Sequence, residues 1–236
     1  MENRGYLRHR RIRDRVLPLL LCIPLTAAIP PVSQNHVSGT KSEYVNPKSV
    51  NQPLNPRRLN RNLLEKALID VTNRVRERHR LDACRYYVKL RTAARCHSED
   101  MVRHDYFSHV SPVPARHHLV DRIRLAGVAR ANTVVGENIG VDYYLKIADV
   151  PYYKTYRNGH VVYLSHETDE VIGYQSYREF SESMVDKWMR SPGHRENILN
   201  GDFDRIGIGV ASGKYNGFDA IYVTQNFMGP LEPDSR

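Results

Sequence analysis

The first 61 residues constrain this chain most, because they offer almost nothing from which a core could be built. Residues 1–15 carry six arginines (Arg4, Arg8, Arg10, Arg11, Arg13 and Arg15), and an apolar run of 14 residues, Val16 to Ile29, follows them. A basic start and an apolar run of roughly 7–15 residues is the layout of an export signal, and it falls short of the ~18 residues that span a bilayer. Pro18 and Pro24 interrupt the run, and Thr26, Ala27 and Ala28 supply small residues for cleavage after Ala28. The expectation is a signal peptide over 1–28, with an uncleaved membrane anchor as the alternative. Lipidation of Cys22 ranks lower, since Leu19, Leu20 and Leu21 put no small residue before it. Residues 30–60 hold five Pro and five Asn with few aliphatic side chains. Such a composition buries too little surface to offset chain entropy, so 29–61 is read as a flexible linker.

This leader also explains much of the charge. The 236 residues carry 35 Lys+Arg against 26 Asp+Glu, a net +9. Cleavage removes six Arg and two acids (Glu2 and Asp14), a net +4, which leaves +5. No Lys/Arg run in the remainder is longer than Arg57-Arg58, so nucleic-acid binding is not expected. Three cysteines are too few for a disulfide scaffold.

From Asn62 the pattern turns helical, with Leu64, Leu68, Val71 and Val75 at three- and four-residue steps. A second helix is predicted over about 87–104, with Leu90, Ala93, Ala94, His97 and Met101 on one face. A short helix over 119–126 stops at Gly127, and Val134 to Val141 reads as a strand broken by Gly136 and Gly140. The stretch 141–175 contains seven of the 15 tyrosines, and Asn158-Gly159 within it predicts a hairpin between 152–157 and 160–164. A helix over 176–190 ends at Pro192-Gly193, and strands over 206–211 and 220–227 flank a Gly-rich turn. This order predicts α+β with a mostly antiparallel sheet.

Three stretches place reactive side chains beside turn residues: Tyr106-Phe107-Ser108-His109, Gly136-Glu137-Asn138-Ile139, and Ser191-Pro192-Gly193-His194-Arg195-Glu196-Asn197-Ile198-Leu199. Two imidazoles and a carboxylate are a minimal set for holding a divalent cation or for acid–base work near neutral pH. With His97-Ser98-Glu99-Asp100-Met101, Asp121-Arg122, Trp188-Met189, Gly207-Ile208-Gly209-Val210 and Thr224-Gln225-Asn226-Phe227, these stretches resemble the CAP superfamily in their order along the chain. This is the superfamily of cysteine-rich secretory proteins, antigen 5 and pathogenesis-related proteins, or SCP domain, and the likeness is to its prokaryotic secreted branch. It covers residues 62–229, leaving 230–236 as a C-terminal tail.

The resemblance implies a three-layer α/β/α sandwich around a mostly antiparallel sheet. It also implies a cleft lined by two histidines and two acids, where several members bind a zinc-like cation. By motif, His109 and His194 are the histidines and metal ligands, and Glu137 is one acid. At the place of the second acid stands Ser191, and Glu182, earlier on the same helix, is the candidate substitute. His97 is expected to be a core histidine, since its helical face is apolar. Cys84 and Cys96 could form a disulfide in an oxidising compartment, or remain two buried thiols.

No Gly-x-Ser-x-Gly elbow and no His-Glu-x-x-His motif is present. The expectation is therefore a secreted, non-enzymatic module that binds a small ligand, a lipid or a cell-envelope component, with Zn²⁺ or another divalent cation in its cleft. Membrane contact would come only through an uncleaved signal. The alternative is a metal-dependent hydrolase of peptide or cell-wall material, with Glu137 as general base.

Overall fold

The computed structural model describes residues 47–128, 134–147 and 151–230. The leader and most of the predicted linker lie outside these residues. Residues 47–61 do not behave as a spacer. Helix α1 (Pro47–Val50) and the turn after it lie against the domain, with Val50 and Leu54 buried in its main core. Leu54 N donates to Gln175 O, and Tyr177 N donates to Gln52 O. Two apolar side chains and two backbone hydrogen bonds suffice to fix a segment whose composition alone reads as loop.

Helix α2 (Arg61–Arg78) starts where the apolar period starts, and the Asn60 side chain accepts from Leu63 N at its N-cap. A two-residue strand β1 (Arg85–Tyr86) precedes α3 (Val88–Arg103). A single 3₁₀ turn (Pro114–Arg116) leads to α4 (Leu119–Leu125), after which Gly127 takes a φ of +91°. Strand β2 (Val135–Tyr143) is followed by the hairpin β3 (Tyr152–Arg157) and β4 (His160–Ser165), whose turn residues Asn158 and Gly159 have φ of 51° and 74°.

Helix α5 (Tyr177–Arg190) opens on a capping box in which Ser176 and Glu179 each accept from the other's backbone N–H. Helix α5 stops at Arg190 as predicted, and Pro192 also makes a start: it is the first residue of α6 (Pro192–Leu199), the position where a missing N–H costs nothing. Strands β5 (Arg205–Tyr215) and β6 (Phe218–Met228) are the last elements among the described residues.

The main sheet has the order β1-β5-β6-β2 and is antiparallel except for β1 on β5. Its faces are covered by different helices, as the three-layer sandwich requires. Ile206, Ile208, Val210, Ile221, Val223 and Phe227 join one core with Leu64, Leu68, Val75, Phe180, Met184 and Trp188 from α2 and α5. On the other face, α3 and α4 contribute Leu90, Ala93 and Ile123 around Met228, and Met101 meets Ile139 and Tyr222. Helix α3 lies directly on β5 because Gly207 and Gly209 have no side chain: a Cβ there would collide with the backbone nitrogens of Arg91 and Arg95.

Among the described residues, strand β2 is a free edge of this sheet. Three of its carbonyls are taken by side chains from the opposite layer: Glu137 O by Asn197 Nδ2 (3.1 Å), Ile139 O by Trp188 Nε1 (2.9 Å) and Tyr143 O by Gln175 Nε2 (2.7 Å). The edge is thereby blunted against pairing with another chain.

The close approach of α3 predicts that Gly209→Ala lowers stability by about 2 kcal/mol or more, because helix and strand backbone must separate. Gly173→Ala, where a Cβ meets nothing within 4 Å, should stay within about 0.5 kcal/mol of wild type. Urea denaturation of the two variants is the check, and equal effects would contradict the packing argument.

Candidate functional site

The residues singled out in the sequence arrive from both layers and meet at β2. Alternation along this strand turns Glu137 toward α3 and Asn138 toward α6. His109 stands in the loop after α3, about half exposed at 51% of its side chain, and its Nδ1 lies 3.0 Å from Glu137 Oε1. His194 sits in the first turn of α6, half-buried, with its ring centroid 6.3 Å from that of His109. Asn138 Nδ2 donates to His194 O at 3.2 Å and to Gln225 Oε1 at 2.9 Å. Asn197 Nδ2 donates to Asn138 Oδ1 at 2.8 Å, and Gln225 Nε2 donates to Thr72 Oγ1 at 2.9 Å. A chain of hydrogen-bonded amides thus ties the His194 backbone to α2.

The C-terminal end of α6 is held by a buried arginine. Arg76 donates through Nη1 to Ile198 O (2.8 Å) and Asn200 O (2.9 Å), through Nη2 to Phe203 O (2.9 Å), and through Nε to Asp82 O (2.9 Å). A guanidinium can satisfy several orphaned helix-end carbonyls at once, with a planar fork that a lysine lacks.

Glu137 is the centre of the group. Its Oε2 accepts from Arg122 Nη2 at 2.7 Å, and both residues are buried. Burial works against ionisation of this carboxyl, but the His109 hydrogen bond and the Arg122 charge outweigh it, and the pKa falls below the usual carboxylate range. Arg122 also donates to Arg116 O, His117 O and His109 O, so one guanidinium anchors the acid and the loop that carries the first histidine. Nothing in the sequence pattern assigned that role to Arg122, since its partners are brought together by the fold.

Three readings from the sequence change. Glu182 does not replace the missing second acid: it lies on the outer side of α5, 52% exposed, with its carboxylate toward Arg74 (3.8 Å) and Arg178 (3.9 Å). Cys84 and Cys96 are free thiols rather than a bridge. Cys84 Sγ points at Phe203 O, while Cys96 sits on α3 among Asp100, Glu99 and Arg116, so the two face different surroundings. His97 is in the core as expected, yet only half satisfied: Nδ1 lies 3.3 Å from Tyr106 Oη, while Nε2 has no hydrogen-bond partner among the described residues and lies 3.8 Å from Glu137 Oε1.

The donor set is compatible in type with a divalent cation. Because His109 Nδ1 faces an ionised carboxylate, it carries a proton, and in the neutral ring Nε2 is left bare as a ligand. Burial, with the neighbouring His109 ring, lowers the pKa of His194, which favours the neutral form that can ligate. Among the described residues no group of three or more His, Cys, Asp or Glu is arranged to hold a metal ion. Any ion would rest on two imidazoles and carry its remaining ligands from solution. Glu137 holds His109 through one oxygen and Arg122 through the other.

The fold is a mixed sandwich in which two histidines and one buried acid meet at the sheet edge. The model of the cysteine-rich secretory protein family, CAP, matches residues 69–227, and the chain belongs to this family. It is 30% identical over 164 residues to the uncharacterized membrane protein YlbC of Bacillus subtilis, covering 70% of this chain and 34% of that protein. To the uncharacterized protein YkwD of the same organism it is 28% identical over 166 residues, covering 70% and 47%. The chain therefore spans between a third and a half of the length of these relatives. Among solved structures, an extracellular SCP-domain protein from Bacillus anthracis is similar at 27% identity with a TM-score of 0.48, covering 76% of this chain and 45% of that one. An outer surface protein from Borrelia burgdorferi is similar at 15% identity with a TM-score of 0.44, covering 71% and 93%. Among the described residues no helix is long and apolar enough to cross a membrane.

Burial holds the His97 pKa at about 4, well below its ordinary value near 6.5. The unfolded chain takes up this proton as pH drops below ~6.5, whereas the folded chain does not until about pH 4, so stability falls through that window and levels off beneath it. The shift corresponds to about 3 kcal/mol at most. Glu137 acts lower: its contribution is complete above the ordinary carboxylate range and is lost as pH falls through its depressed folded value. Denaturant titrations between about pH 7 and about pH 4.5 should show a flatter pH dependence for His97→Gln than for wild type. Equal slopes would contradict the buried, neutral His97.

Proposed function

We propose that this protein is an exported CAP-domain binding module, with His109 and His194 as the ligands of a divalent cation and Glu137 as the group that orients His109. The observation that carries the proposal is the buried, ionised carboxylate on His109 Nδ1, since a metal-ligating histidine needs its other nitrogen held by an acceptor. Zn²⁺ suits two imidazoles with open positions, and such an ion would draw a ligand or partner to the half-exposed edge of β2. Arg122 and Glu137 keep the His109 ring in place, and the amide chain from Asn138 to Thr72 holds the backbone that carries His194, so binding would require little reorganisation.

Export is supported by the basic and apolar leader and by membership of a family of secretory proteins. A binding role is favoured over hydrolysis because Arg122 and His109 lower the pKa of Glu137, which makes it a weak general base. The cell envelope is the setting in which such a module would meet its small ligand, lipid or surface partner.

Calorimetric titration of Zn²⁺ into the purified protein tests this reading. Wild type should bind one ion, His109→Ala and His194→Ala should each weaken binding by about tenfold or more, and Glu137→Gln by roughly 10–100-fold. Thermal denaturation of each variant separates loss of the site from loss of the fold. Absence of divalent-cation binding by folded wild type, or equal binding by all four proteins, would refute it.

A further inference from the structure

The β3–β4 hairpin takes no part in the histidine site, and it leaves one strand edge open. Its register pairs Arg157 with His160, Thr155 with Val162 and Tyr153 with Leu164. Around a two-residue turn such as Asn158-Gly159 the closing pair is hydrogen-bonded and bonded pairs alternate from there, so Arg157, Thr155 and Tyr153 point their main-chain groups at β4. The N–H and C=O groups of Tyr152, Lys154 and Tyr156 therefore point away from it. The outer edge of β4 is covered, since Ile172 N donates to Tyr163 O at 2.8 Å and Ser165 N to Glu170 O at 3.0 Å. The outer edge of β3 meets no other strand among the described residues, and Lys154, Tyr156 and Arg157 are exposed along it. The base of the hairpin is fixed, because Tyr152 and Tyr163 pack on Phe218 with centroids 5.6 and 5.1 Å away. Charge differs between its ends: Arg157 stands beside the turn, while Glu167, Asp169 and Glu170 are exposed just past the base.

We propose that β3 pairs edge to edge with β3 of a second copy of this chain, antiparallel about a twofold axis at Thr155, so that two hairpins join into one sheet. In this register Lys154 lies opposite Tyr156 of the second copy, and the two such pairs exchange four main-chain hydrogen bonds. Thr155 lies opposite its own counterpart, and Tyr153 lies opposite Arg157 of the second copy. Tyr153 Oη donates to Asp169 Oδ1 at 2.9 Å, so the guanidinium of one copy comes beside the carboxylate of the other. This complementarity selects a second copy as the partner, since antiparallel pairing sets the basic tip of each hairpin against the acidic base of the other. A lysine on an edge strand ordinarily deters pairing. Here it meets a tyrosine ring, as it does within the chain, where Lys154 Nζ stands 5.6 Å from the Tyr156 centroid. Neighbouring registers fit less well. Centring on Lys154 sets two lysines directly opposite, centring on Tyr156 leaves two main-chain bonds before the turn, and centring on Tyr153 leaves Arg157 beyond the paired strand. The surface uses none of His109, Glu137 or His194, so it stands independently of the cation reading.

The test is sedimentation equilibrium of the full chain over a concentration series, with disulfide trapping to read the register. Wild type should pass from monomer to dimer with a Kd at or below about 1 mM, as suits a small interface. Lys154→Pro removes an N–H that points away from β4, so the hairpin keeps its own bonds, and dimerisation should weaken at least ~tenfold with no fall in melting temperature. Under mild oxidation Thr155→Cys should form a linked dimer at least ~tenfold faster than Val161→Cys, whose side chain is exposed on β4 instead, with the wild-type thiols as background. A monomer at every concentration, a dimer insensitive to Lys154→Pro, or Val161→Cys linking as fast as Thr155→Cys would overturn the proposal.

Discussion

A guanidinium and a carboxylate, both shielded from water, meet at 2.7 Å beneath the two histidines, and the organisation of the site follows from that pair. Removing either partner would strand the other charge in a low-dielectric interior, a penalty of order ~3–5 kcal/mol. The pair also couples elements distant in sequence. Arg122 reaches the carbonyls of Arg116, His117 and His109, while Glu137 extends from the edge strand to the His109 ring. One ion pair therefore sets the position of the loop, the orientation of the ring and the charge of the acid together.

The pair can exist there because α3 is pressed onto the sheet. Gly207 and Gly209 remove the side chains that would hold helix and strand apart, and the contact carries His97 and the loop after α3 to the level of Glu137. On the opposite face, Arg76 closes the end of α6 while Asn138, Asn197 and Gln225 fix its beginning. The two histidines are thus supported from different layers and approach each other only past the edge strand β2. Such an arrangement leaves the rings partly exposed while the groups that orient His109 and hold the His194 backbone are buried.

Much of this was legible in the sequence, for reasons that differ by element. Helices α2, α3 and α5 carry long apolar periods, and Asn158-Gly159 encodes its own positive φ angles, so local chemistry sufficed. The placement of residues 47–61 was not legible, because two apolar side chains among prolines and asparagines gain meaning only from the core they enter. Pro192 marks the end of α5 in the sequence, but that it also begins α6 is not legible there, since proline both ends and begins helices. His109, Glu137 and His194 were found through their motifs, and the fold brings all three together. Arg122 stands in a motif that shows none of its partners, and Glu182 shares a helix with Trp188 yet faces Arg74 and Arg178. Charge partners decide both cases, and the fold supplies Glu137 to Arg122 and Arg74 to Glu182 from other elements.

Everything proposed for the cleft depends on Glu137 holding the proton of His109 on Nδ1 and leaving Nε2 bare. Nitrogen-15 NMR of the neutral His109 imidazole tests this directly, because protonated and bare ring nitrogens resonate far apart. The expected spectrum shows a protonated Nδ1 and a bare Nε2, with the preference lost in Glu137→Gln. A proton on Nε2 in the wild-type protein, or a tautomer indifferent to Glu137, would contradict it.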